Sequence, residues 1–235
     1  MKQAVQRVSK KAVTTAKPKQ TRDPVRSKQA ILEAANEEFY QHGFSGGRVE
    51  SIAKNSKSNM RMIYHYFGDK EGLYLAVLEA AYLRLRSQES KLDLSLVTPP
   101  EAMRQLIRFT YDFFSSNKDV LTLINNENTM KGRFLKQLPN VKNITLPLIN
   151  AITNILKRGH RDGSFRSGVD PLQFYVSLVA LSQLHILNRF TLSIVFDKDL
   201  TDPAWLKQRR TCVEDTLMAY LQDTAPSPAT PKVPR

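Results

Sequence analysis

The stretch GFSGGRVESIAKNSKSNMRMIYHYFGDKEGL, from Gly43 to Leu73, decides the fold. Gly43 stops a helix expected over about Val25–His42, in which Ile31, Leu32, Ala35 and Phe39 are spaced to make one apolar face. Phe44 is expected to tuck beneath that helix. A short helix follows over about Arg48–Asn55, burying Val49, Ile52 and Ala53. After a turn at Ser56–Ser58 comes a second short helix, about Met60–Phe67, with Asn59 placed to accept from its first free amides. Asp69 caps the next helix, where its charge also suits the helix dipole, and the apolar series continues through Leu73, Val77, Ala80, Ala81 and Leu85. Two short helices joined by a tight turn and braced by a longer one make a helix-turn-helix.

In such a unit the second short helix lies in the major groove and its first residues reach base edges. Here it opens with Met60-Arg61-Met62. Arg61 can donate two parallel hydrogen bonds to guanine, and methionine can pack on thymine methyls. Tyr64, His65 and Tyr66 follow, and their polar tips suit phosphates. Phe67 reads as core.

Outward from this unit, charge is distributed unevenly. The 235-residue chain has a formal charge of +13. Residues 1–28 hold nine cations against the single acid Asp23, a net +8, leaving +5 for the remaining 207 residues. A polyanion is the natural partner of such a segment. Residues 1–24 lack helical period and read as a disordered basic arm; residues 224–235, with four prolines, read as a disordered tail.

Beyond Pro99-Pro100 only helical periods appear. Helices are expected over about Glu101–Ser116, Lys118–Asn128 and Leu138–His160, the last carrying Pro147. A Gly-rich loop, Arg158–Asp170, leads to Asp170-Pro171, a cap followed by proline that opens an apolar helix through about Val195. Asp202-Pro203 opens the last helix, to about Gln222, by the same device. The apolar helix is hydrophobic nearly all round, so burial on both sides is expected, by a partner copy or by a central place in a monomer. The fold class is therefore all-α, divided at 25–75 and 76–223.

Catalysis finds little support. There is no Walker loop, GxGxxG, HExxH or GxSxG run, and the one cysteine, Cys212, excludes an internal disulfide and a cysteine-rich zinc site. No cofactor and no metal are expected. No uncharged apolar run approaches the ~20 residues of a membrane span, and the basic N-terminus has no apolar segment behind it, so a cytoplasmic location is expected.

The run Gly43-Phe44 … Val49-Glu50-Ser51-Ile52-Ala53 … Met62-Ile63-Tyr64-His65-Tyr66-Phe67-Gly68-Asp69-Lys70-Glu71-Gly72-Leu73 resembles the TetR-family DNA-binding domain over about 50 residues. Gly163-x-Phe165-Arg166 … Asp170-Pro171 and the terminal helix pair resemble C-terminal halves of the same family. The resemblance implies base reading by Met60, Arg61 and Met62, base or backbone contacts from Tyr64, His65 and Tyr66, and a phosphate bond from Lys70. It implies a homodimer on a palindromic operator in double-stranded DNA, and a small-molecule effector in the C-terminal half. Polar residues in apolar helices mark a candidate pocket: Tyr111, Asn125, Asn126, Glu127, Gln183, His185, Asn188 and Arg189. The rival reading is a constitutive or nucleoid DNA-binding protein whose core is filled.

Two departures from the family stand out. Gly46-Gly47-Arg48 replaces a threonine phosphate ligand, with Arg48 as the substitute contact. The turn reads Ser56-Lys57-Ser58-Asn59 rather than Ala-Gly-Val-Ser, which puts Lys57 where a left-handed backbone is required and adds a charge near the phosphates.

Overall fold

In the computed structural model, which describes residues 23–139 and 141–222, every regular element is helical: ten α-helices and one short 3₁₀ turn. α1 (Pro24–Gly46) begins at the edge of the expected arm, because the Asp23 carboxylate accepts from the Val25 amide at 2.9 Å and Pro24 occupies the first turn. The rest of the arm, and the Pro-rich tail, lie outside the described residues. The helical path breaks at Gly43 (φ 65°, ψ −177°), a conformation side chains disfavour, so the expected stop is where the sequence puts it.

α2 (Val49–Asn55), α3 (Met60–Phe67) and α4 (Lys70–Glu89) follow. Side-chain caps fix two of these starts. Asn59 Oδ1 accepts from Met62 N at 2.8 Å, and Asp69 Oδ1 accepts from Gly72 N at 2.7 Å. The expected domain boundary at 75/76 falls inside α4, which packs on α1 and α3 and also on α5 (Pro99–Ser116), α6 (Lys118–Thr129) and α7 (Val141–Arg161). α1 also packs on α6, and the Asp119 carboxylate ties the two halves by accepting from Asn36 at 2.8 Å and from Arg84. Burial opposes ionisation of Asp119, but these bonds outweigh it and hold the carboxyl below its usual range.

The last elements are α8 (Pro171–Leu187), α9 (Arg189–Val195) and α10 (Pro203–Gln222). The sequence reading made α8 and α9 one helix; the structure bends them by 70° at Asn188. Asn188 Nδ2 donates to Leu184 O at 3.0 Å and Arg189 Nη1 to Ile186 O at 2.7 Å, so side chains take up the last carbonyls of α8 and end it. Among the described residues no single helix is long and apolar enough to cross a membrane.

Two apolar clusters form the core. One joins Ile31, Phe39, Ile52, Ile63 and Leu73 of the N-terminal helices to Phe113, Val120, Leu123 and Phe134. The other unites α5, α7, α8 and α10 through Met103, Leu106, Ile152, Phe174, Leu178 and Leu221. Each fully buried side chain of this size contributes about 1.5–3 kcal/mol.

Candidate nucleic-acid interface

The turn between α2 and α3 closes as its residue types dictate. Lys57 sits at φ 53°, the left-handed conformation expected where glycine is missing. Ser56 Oγ donates to Ile52 O at 2.7 Å and Ser58 N to Ala53 O at 2.9 Å, so hydroxyl and amide groups finish α2 without the family's usual valine. α3 is anchored by one buried residue, Ile63.

Around that anchor, the residues presented outward are Met60, Arg61, Tyr64 and His65. Met60 is 41% exposed and Tyr64 43% exposed; Arg61 and His65 are exposed as well. Met62 and Tyr66 are half-buried, as is Phe67, over whose ring Lys28 lies. Asn59 is exposed, but its carbonyl oxygen is committed to the cap. Arg48 precedes α2, its amide donating to Glu38 Oε1 at 2.9 Å while its side chain is exposed. Lys70 Nζ lies 4.9 Å from the centroid of Phe44 and reaches back to Ser45 O at 3.5 Å, three residues before Arg48. Lys70 thus reaches the end of α1 close before α2; Arg61 stands in the first turn of α3, Lys57 in the turn before it, Lys70 at the start of α4 and Arg48 just before α2. An outward helix start flanked by cations can read base edges with its first residues and hold phosphates with its neighbours.

A cavity of about 680 Å³ lies in the C-terminal half, between the end of α4, the connection to α5, and α7. Leu83, Leu92, Leu106 and Leu148 line it, with Arg86 and Glu89 as a largely buried ion pair in its wall. Burial pushes the Glu89 carboxyl above its usual range against the pull of Arg86. The cavity wall mixes these leucines with polar residues, among them Ser87, Ser90, Asp93 and Asn143, and small-molecule sites combine apolar walls with placed polar groups.

None of the eight residues expected at the pocket lines this cavity. Glu127 is buried, and its Oε2 accepts from the amides of Phe134 and Leu135 at 3.0 and 2.8 Å. Asn125 is exposed on α6, Gln183 is half-buried on α8, and Asn188 caps α8. Tyr111 and His185 do come together: their rings stack at 5.2 Å and 11°, beside Trp205, and the Tyr111 hydroxyl donates to Leu206 O at 3.0 Å. Burial, with Arg209 nearby, pushes the His185 imidazole down to about 4. The sequence reading missed Arg86 and Glu89. An Arg–Glu pair three residues apart is ordinary on an exposed helix face, so nothing in the sequence marked this one as buried.

The model of the "Bacterial regulatory proteins, tetR family" matches residues 31–77, and a "Tetracyclin repressor-like, C-terminal domain" matches residues 99–217. The chain is 34% identical over 177 residues to the HTH-type transcriptional repressor NicS of Pseudomonas putida, covering 75% of this chain and 84% of that one. Two solved structures share the fold. The transcriptional regulator SCO4942 of Streptomyces coelicolor matches with a TM-score of 0.62 at 23% identity, covering 83% of this chain and 98% of that one. FadR of Bacillus subtilis, in complex with stearoyl-CoA, matches with a TM-score of 0.62 at 18% identity, covering 82% and 98%.

Proposed function

Because the chain belongs to the TetR family of bacterial regulatory proteins, and is therefore a DNA-binding transcriptional regulator, we propose that it represses transcription as a cytoplasmic homodimer on a palindromic operator, under control of a small-molecule effector. The exposed start of α3 carries this reading. Met60, Arg61 and Met62 read bases; Tyr64, His65 and Tyr66 contact backbone or bases; Arg48, Lys57 and Lys70 hold phosphates.

The outward face of α8 supports dimerisation. Leu172, Val176 and Leu184 are each more than half exposed on the apolar stripe of α8, and Phe190 and Ile194 of α9, beyond the 70° bend, are exposed as well. A stripe of this kind marks an interaction surface. A two-fold partner there relates two headpieces, which is why the operator is palindromic.

The cavity favours an effector over the constitutive alternative, whose core would be filled. FadR, a protein of the same fold, holds a ligand. A ligand that binds one of two states better shifts the spacing of the headpieces and with it operator affinity. We assign the effector to the cavity beside Arg86 and Glu89, and Glu127 and Asn188 to structural capping. The test is sedimentation of the protein with a duplex recovered by selection from random DNA. Two protomers per duplex are expected; a single protomer on a non-palindromic duplex overturns the reading.

A further inference from the structure

Residues 130–139 lie within the segment matched by the C-terminal model, yet part of this loop packs on the headpiece. The loop is firmly built. Glu127 takes the amides of Phe134 and Leu135 on its carboxylate, and the Gly132 amide donates to Glu127 O at 2.7 Å. The backbone turns through the left-handed region at Lys131 (φ 58°) and Gly132 (φ 66°). A lysine there is strained, and surrounding contacts must hold it.

This construction places Arg133 beside the headpiece. Its guanidinium lies 4.9 Å from the Phe134 ring and 6.0 Å from Phe44, and its Nη2 meets Glu71 Oε1 at 2.5 Å. Phe44 is the ring that Lys70 also covers, and Glu71 is the residue after Lys70. Arg133 and Lys70 therefore flank one aromatic ring at the start of α4. The Arg133 side chain is 57% exposed despite these contacts. From Asn128 to Pro139 the chain carries Lys131, Arg133 and Lys136, all exposed, and no acid.

The geometry points to Arg133 as a phosphate contact supplied to double-stranded DNA by the regulatory half, with Lys131 and Lys136 adding to the local field. A planar guanidinium suits a phosphate bidentately. In the free protein Glu71 occupies it; on DNA a phosphate competes with Glu71. The contact stands on DNA binding alone. If an effector moves the α6–α7 loop, it also withdraws this contact, and that consequence rests on the effector reading.

The experiment measures log K against log salt for the full chain on a selected duplex and on random DNA. Arg133→Gln is expected to weaken both alike and to lower the slope by about 0.9 per half-site, so about 1.8 per dimer. Glu71→Gln frees the guanidinium and is expected to strengthen both, and Arg133→Lys to keep most of the slope. If the pair were only a structural staple, Arg133→Gln and Glu71→Gln would weaken binding in the same direction at the parental slope, and that result overturns the proposal. Lys207→Gln, on α10, which packs on α5 and α8, controls for net charge. A slope change equal to that of Arg133→Gln would also overturn the contact, reducing it to a long-range field.

Discussion

The headpiece and the α5–α8–α10 junction use polar groups in opposite ways. In the headpiece, buried side-chain nitrogens and oxygens are partnered with one exception among the described residues, and the acceptors Asp23, Asn59 and Asp69 finish helix starts. At the junction, Ser115 Oγ, Ser182 Oγ, both ring nitrogens of His185 and Nε of Arg209 are buried without a protein partner. Leu172, Val176 and Leu184 lie exposed on the same helix as Ser182 and His185. The headpiece, taken to residue 75, leaves Tyr74 Oη as its one buried side-chain polar atom without a partner among the described residues. The junction is closed on itself only in part. A buried polar group without a partner costs about 1–3 kcal/mol, and more such groups gather at the junction than in the headpiece.

The sharpest way to break this contrast is to cut the joint between the two regions. Phe134 is fully buried against Phe44 and Tyr74, at 4.5 and 4.9 Å between ring centroids. Phe134→Ala is expected to cost about 3–5 kcal/mol in urea unfolding. A loss below about 1 kcal/mol would mean the headpiece does not depend on the loop.

Next in size is the pH dependence of the junction. The unfolded His185 protonates near its ordinary 6.5, the folded one only near 4, so the unfolded state binds more protons between these values. Stability is present above that window and falls as pH drops through it, by an amount on the order of 3 kcal/mol. His185→Phe is expected to flatten the curve of unfolding free energy against pH from 6.5 to 4; a mutant curve parallel to the parent's would contradict the assignment.

The same contrast explains what the sequence made legible. Helix starts at Asn59, Asp69, Asp170 and Asp202 follow from local chemistry, and all four side chains accept from the amide three residues on. The stop at Gly43 and the left-handed Lys57 are local too. The cavity is not, because Leu83, Leu106 and Leu148 meet only once α4, α5 and α7 have packed. A polar residue on an apolar helix does not reveal whether it caps, as Asn188 and Glu127 do, or faces a cavity, as Glu89 does. The bend after Leu187 was masked because Phe190, Leu192 and Ile194 continue the apolar run of α8 without a proline or glycine.

The smallest effect sharpens the contrast from the headpiece side. Lys57→Gly relieves a left-handed lysine and is expected to raise stability by about 0.5–1 kcal/mol. It also removes a charge beside the phosphates and should lower the salt slope by about 0.9 per half-site. Greater stability with an unchanged slope would place Lys57 outside the DNA contact.

The central claim is that α3, presented twice by a dimer, reads a palindrome. Selection from a random DNA pool tests it most directly, run in parallel with the parent chain and with Arg61→Ala. The parent is expected to enrich an inverted repeat whose half-sites lie one helical turn or a multiple apart. The variant is expected to recover the same repeat with one guanine position per half-site relaxed. An enriched sequence without two-fold symmetry, or an identical sequence preference from the variant, would contradict it.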